Sequence, residues 1–232
     1  FSTLSLLNNL SVNISTIEDP VEYKKPGANQ TQVNVQAGMT FASGLRALLR
    51  QDPNIIMVGE IRDGETASLG VQAALTGHLV FATLHTNNAA TCLPRLLDMV
   101  IEPFLIASTV RAVVGQRLVR RLCQHCKVAY KPDDATVKTI AQSFGIKNTD
   151  VMQYISKLEE RAIAGGIGVT ESAASKKMSS SPKGISSLYK PNPEGCDECN
   201  HSGFKGRMGI YEVLDNSPEV QKLIISNATS TV

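Results

Sequence analysis

No stretch of this chain approaches the roughly 20 consecutive apolar residues that span a bilayer, and no basic, then apolar, then small-residue pattern opens it. Charge of one sign is also missing. A net charge of +2 over 232 residues creates too weak a field to argue for nucleic acid as the main partner. Absent as well is any Gly-x-x-x-x-Gly-Lys-Ser/Thr run, the loop whose amides cradle nucleotide phosphates. What is present is ordinary: 42% apolar and 19% charged residues suit a globular protein. The length allows one substantial core and a small second module. The absent export pattern leads to the expectation of a cytosolic or peripheral chain.

Phe1, Leu4, Leu7 and Leu10 recur at helical spacing from the first residue. No capping residue precedes them, so the chain is expected to be a fragment of a longer one. Residues 13–17 read as a strand running into Glu18, Asp19 and Pro20. A turn-rich loop follows at 24–29, then an edge strand at 30–35. Thr40 suits the N-cap of a helix through Arg50, with Phe41, Leu45, Leu48 and Leu49 on one face, stopped by Asp52-Pro53. The run Ile55 to Val58 is a buried strand, 65–75 a helix closed by Gly77, and 79–84 a third apolar strand. Residues 88–100 and 103–119 read as helices, and 134–162 as a further helical stretch. Strand alternating with helix is the α/β rhythm, and strands buried on both faces favour a parallel sheet.

The polar residues fall where that sheet would end. Glu18 and Asp19 follow one strand, Glu60 the next and His85 the third. In an open parallel sheet ligands bind beyond the carboxyl ends of the strands. A polar residue commonly marks a strand's exit from the core, so one such exit means little; three acid or imidazole exits argue for a site.

The flanks ISTIEDPVEY, LRALLRQDPNIIMVGEIRD and TGHLVFATLHTNNAA resemble the Asp box, Walker B box and His box of the secretion ATPase superfamily that powers type II secretion and type IV pili. The resemblance is close from Ile14 to about Arg121, and three ordered boxes are far more specific than one. It implies a RecA-like P-loop NTPase core with a parallel-rich sheet, a homo-hexamer, and ATP hydrolysis with magnesium to drive pilin or pseudopilin assembly. A cytoplasmic place at the inner membrane face, beside the platform protein of the machine, is implied too. On this resemblance Glu60 is the general base that polarises water. Glu18, Asp19 and Glu22 hold magnesium through its waters, and His85 hydrogen-bonds the terminal phosphate. His78 and His85 flank one strand and should lie roughly 20 Å apart, so His78 either serves a subunit contact or is structural. Arg50 and Arg62 bracket the Walker B stretch, where the resemblance implies arginines that serve catalysis or intersubunit signalling, with Arg50 the one carried as catalytic; the alternative is a surface ion pair with Asp52 or Asp63, of little worth.

Two C-x-x-C pairs, Cys123 with Cys126 and Cys196 with Cys199, match the four thiolates that structural zinc favours. Disulfide pairing is the alternative, and the missing export pattern argues against it. His125 is a further possible ligand, unneeded where four cysteines suffice. Cys92 sits in an apolar helical context and reads as a small buried residue. Between the pairs, about 163–187 is small, polar and without period, as in a flexible insertion. Such a loop lengthens at little cost in closure entropy. The expected domains are therefore a RecA-like ATPase core at 1–122, a small α-rich tetracysteine zinc module at 123–211, and a C-terminal helical segment at 212–232. Within the family, assembly and secretion ATPases commonly carry the tetracysteine module and retraction ATPases lack it. GFKGRMGIYEVL also resembles the assembly group. The rival is a zinc-stabilised interaction or nucleic-acid-binding module without catalysis. With no phosphate loop in these residues, the chain alone is expected to hydrolyse ATP poorly.

Overall fold

A computed structural model describes residues 2–146, 151–164 and 188–226. Most of the expected insertion (165–187), the end of the expected C-terminal segment (227–232) and Phe1 lie outside the described residues. The chain divides into two compact units, Phe1–Arg117 with Ile210–Val232, and Leu118–Gly209.

The first unit is built on a four-stranded parallel sheet of β1 (Ile14–Glu18), β2 (Ala28–Gln32), β3 (Ile55–Val58) and β4 (Leu79–Ala82), in the order β2-β1-β3-β4. Alternation along the strands feeds two cores. Ile17, Ile56 and Val58 face α2 (Phe41–Leu48), α3 (Gly64–Leu75) and α5 (Pro103–Thr109). Ile14, Ile55 and Met57 face the other way, onto Leu4 of α1 (Ser2–Leu7). α4 (Cys92–Asp98) adds Leu93 and Leu96 to the larger core, and α8 (Pro218–Ile225) packs Ile224 into it beside α5.

Local chemistry sets the ends of these elements. Thr40 Oγ1 accepts the Ser43 amide (3.1 Å) while Ser43 Oγ accepts the Thr40 amide (2.8 Å), a reciprocal cap for α2. Asp63 caps α3 by accepting the Thr66 amide at 2.8 Å. At the amino edge of the sheet, Asn13 Nδ2 donates to the Gln51 and Asp52 carbonyls (2.9 and 3.1 Å), and the Asn13 amide donates to Asn54 Oδ1 (2.8 Å). These bonds align the starts of β1 and β3.

The sequence reading erred most at 103–119. Only Pro103–Thr109 is helical, and β5 (Ala112–Leu122) pairs with β8 (Phe204–Asp215) in a two-stranded sheet. Helix α5 ends where Val110 turns extended (φ −66°, ψ 130°). There Asn216 Nδ2 donates to the Ala107 and Val110 carbonyls at 2.8 and 2.6 Å. The β-branched pair Val113-Val114 then favours the strand. Two other helical readings were too long. Residues 88–91 form a turn before α4, and 134–162 holds two helices, α6 (Asp134–Ser143) and α7 (Val151–Ala164), the first ended by Gly145 at φ 63°.

The second unit holds the remaining parts of β5 and β8, α6, α7, and an antiparallel pair of β6 (Val128–Tyr130) and β7 (Leu188–Lys190). Cations lie over its aromatic rings: Arg120 over Phe204 at 4.0 Å and Lys127 over Tyr189 at 4.3 Å.

Candidate active site and metal centre

Because β1, β3 and β4 run parallel, their carboxyl ends share one edge. Gly59 makes the convergence tight. Its amide donates to the Ile17 carbonyl at 2.7 Å, and a Cβ there would lie 3.0 Å from that oxygen and 3.2 Å from Glu18 Cα. Any larger residue would press on β1 where β3 leaves the sheet. Thr83 braces the other side, its hydroxyl donating to the Gly59 carbonyl and its carbonyl accepting the Ile61 amide.

Held between these braces, Glu60 is only 17% exposed along its side chain and both its oxygens are engaged. His85 Nε2 reaches Oε1 at 2.7 Å, and Arg62 Nε donates to Oε2 at 2.5 Å. Arg62 Nη1 also lies 3.9 Å from an oxygen of Asp19. Four polar side chains from three strand ends thus form one continuous constellation. Asp19 borders a concavity of about 500 Å³ lined also by Gln32, Asn34 and Gln36.

Other residues expected at the site lie elsewhere. Glu18 is buried (3% exposed) and turned to Thr16 Oγ1 (2.5 Å) and Gln30 Nε2 (3.0 Å), so its carboxylate supports β1 from within. Glu22 is exposed in the loop after β1. His78 stands before β4, at the opposite edge from His85, where Nδ1 donates to the Ala73 carbonyl at 3.0 Å and closes the end of α3. Arg50 lies in the turn Leu49–Gln51, also at the amino edge, separated from Glu60 by the length of β3, about 10 Å or more. Within one chain it does not meet the constellation. Of the two arginines that bracket the Walker B stretch, Arg62 is the one that joins Glu60 to Asp19.

The four cysteines of the second unit come together. Their sulfurs all lie within 4.8 Å of one another, and Cys123 to Cys196, Cys126 to Cys199 and Cys196 to Cys199 are each 3.8 Å. A tetrahedron with 2.3 Å metal–sulfur bonds has an edge of about 3.8 Å, whereas a disulfide needs about 2.05 Å. The thiols are free, and the donor set fits zinc. Amides of Cys196 and Gly203 donate to Cys199 Sγ, both at 3.3 Å. Burial pushes the Cys199 thiol up, but these amides and hydrogen bonds from Cys196 and Cys126 outweigh it, bringing it down to about 6. Burial and the neighbouring thiols push Cys126 up to about 12. Four thiols in one small space thus ionise unequally until a cation neutralises them together.

The family described as Type II/IV secretion system protein matches residues 1–232. The chain belongs to that family. Among its relatives, a type IV pilus assembly ATPase PilB of Thermus thermophilus is 45% identical over 234 residues, covering 100% of this chain and 22% of that protein. Type II secretion system protein E of Dickeya dadantii is 44% identical, covering 92% of this chain and 34% of the relative. Type II secretion system ATPase E of Vibrio cholerae is 44% identical, covering 98% and 37%. The chain therefore spans between 22% and 37% of the length of these three relatives. A crystal structure of the pilus retraction motor PilT with bound ADP shares the fold, with a TM-score of 0.56 at 24% identity over 97% of this chain and 45% of that one. No helix among the described residues is long and apolar enough to cross a membrane.

Proposed function

We propose that these residues form part of an ATPase that drives type IV pilus assembly or type II secretion. The observation that carries the reading is Glu60, held by His85 and Arg62 at the carboxyl edge of a parallel sheet. Phosphoryl transfer to water asks a protein for positioning and charge complementarity. Glu60 would orient the water and accept its proton. Both its oxygens, however, are already engaged, by His85 and by Arg62. A terminal phosphate that draws His85 and Arg62 to itself frees the carboxylate, which ties activation of the base to nucleotide arrival. Asp19 and Glu22 suit the outer contacts of magnesium, which when bound neutralises phosphate charge. Glu18 has no such part, because its carboxylate faces Thr16 and Gln30.

Arg50 and His78 lie at the opposite edge, where a role requires a second copy, as in the hexamer implied by the family resemblance. The four cysteines would hold a structural zinc. By the family resemblance that set favours assembly or secretion over retraction, and the same resemblance implies the platform protein of the machine as the membrane-side partner. The test is ATP turnover by the longest natural polypeptide containing these residues. Glu60→Gln should lower kcat by about 100-fold or more, and the 232-residue chain alone should turn over little ATP. Unchanged turnover in Glu60→Gln overturns the assignment of the base. No turnover in the full polypeptide would favour the non-catalytic, zinc-stabilised module instead.

A further inference from the structure

The loop that carries His85 has two anchors, and only one of them belongs to the sheet. Thr83 ties its beginning to Gly59 and Ile61. Its far end is tied to a strand more than 120 residues later in the sequence: the Ala89 amide donates to Glu212 Oε2 of β8 at 2.9 Å. Ala89 is buried, so its amide must find a partner inside the protein. Beside this bond Arg117 Nη2 of β5 donates to the Asn87 carbonyl at 2.7 Å. Gly115 leaves the room that the carboxylate needs, since a Cβ there would lie 3.1 Å from Glu212 Oε2 and 3.2 Å from the Ala89 nitrogen. Glu212, Arg117, Gly115 and Asn87 wall a cavity of about 190 Å³ with Thr86, Asn88 and Tyr211.

We infer that Glu212 is a positioning residue for His85, with Arg117 as its second tether and Gly115 as the clearance that admits it. His85 itself is 86% exposed along its side chain, so little packing fixes the imidazole. The 2.7 Å contact to Glu60 depends on a backbone held at Thr83 on one side and at Asn87 and Ala89 on the other. Glu212 touches neither the reacting groups nor Glu60; it acts through the loop. Its catalytic consequence rests on the ATPase reading above, whereas the tether does not.

The test uses the longest natural polypeptide and reads amide hydrogen exchange over residues 83–91 together with ATP kinetics. In Glu212→Ala, exchange in that segment should rise about tenfold. The kcat should fall about tenfold with the KM for ATP within about twofold, as a displaced catalytic group would give. Glu212→Gln, whose amide oxygen accepts the same bond, should recover both readouts to within about threefold of wild type. Val213→Ala, on the same strand but outside the tether, should leave both unchanged. Should Glu212→Ala fail to fold, Gly115→Ala and Arg117→Ala carry the same test. A folded variant with wild-type exchange over 83–91, or a Glu212→Gln as impaired as Glu212→Ala, overturns the inference. If the wild type turns over no ATP, the ATPase reading fails by itself and the exchange rates still decide the tether.

Discussion

Gly59 shows how much one atom decides at the candidate site. The apolar run that ends at a glycine and an acid was visible in the sequence, but the reason for the glycine was not. It lies in the approach of another strand, 3.0 Å from a hypothetical Cβ to the Ile17 carbonyl. Gly59→Ala should therefore force β1 and β3 apart at the edge that carries Glu60. Overpacking against backbone costs about 1–3 kcal/mol, measured as a lowered urea midpoint, and the Glu60 to His85 contact should loosen with it. An unchanged midpoint would mean the strands separate freely there. The convergence of Glu60 and His85 was legible because each stands within three residues of the end of an apolar strand. The outward or inward turn of Glu18 was not legible. It follows from strand parity and from Gln30, a partner on a neighbouring strand that no local pattern announces.

Elements were read well where both faces or a cap spoke in the sequence. Thr40, the buried strand Ile55–Val58 and the helix after Asp63 all stand where side-chain period and capping place them. β5 escaped because its apolar residues at 113, 114, 118 and 119 satisfy a helical period as well as a strand; β8, from the far end of the chain, settles the matter. Helix α6 offers a test that depends on pH. Asp133 accepts the Thr136 amide at 2.8 Å, and these bonds from Thr136 hold its carboxyl below the ordinary value. A depressed carboxylate stabilises the fold fully above its unfolded pKa of about 3.9, and that contribution is lost as pH falls through the lower folded value. The Thr136 amide resonance should hence keep its capped shift down to about pH 4 and lose it only below. Loss of the shift nearer neutrality would argue against Asp133 as the cap.

At the scale of the molecule, the two C-x-x-C spacings were legible, and with them the reading of all four thiolates as one site across a long insertion; what no local pattern gives is how closely residue 126 meets residue 199. The sulfur distances supply that link. Closing so long a segment costs entropy that grows only slowly with its length, and a structural zinc in such a set contributes folding energy outright. Four consequences follow together for the chain in a reducing buffer. It should carry one zinc per chain, read by a colorimetric chelator after denaturation. Cys196→Ser should lose it. A strong chelator should abolish exchange protection in the unit Leu118–Gly209, while the parallel sheet of the other unit, whose core of Ile17, Ile56 and Val58 lacks any thiolate ligand, keeps its protection. Lowering the pH should release the metal as protons compete for the thiolates. A protein that folds fully without zinc, or loses both units together on chelation, would remove the metal from its place as the local clasp of one unit.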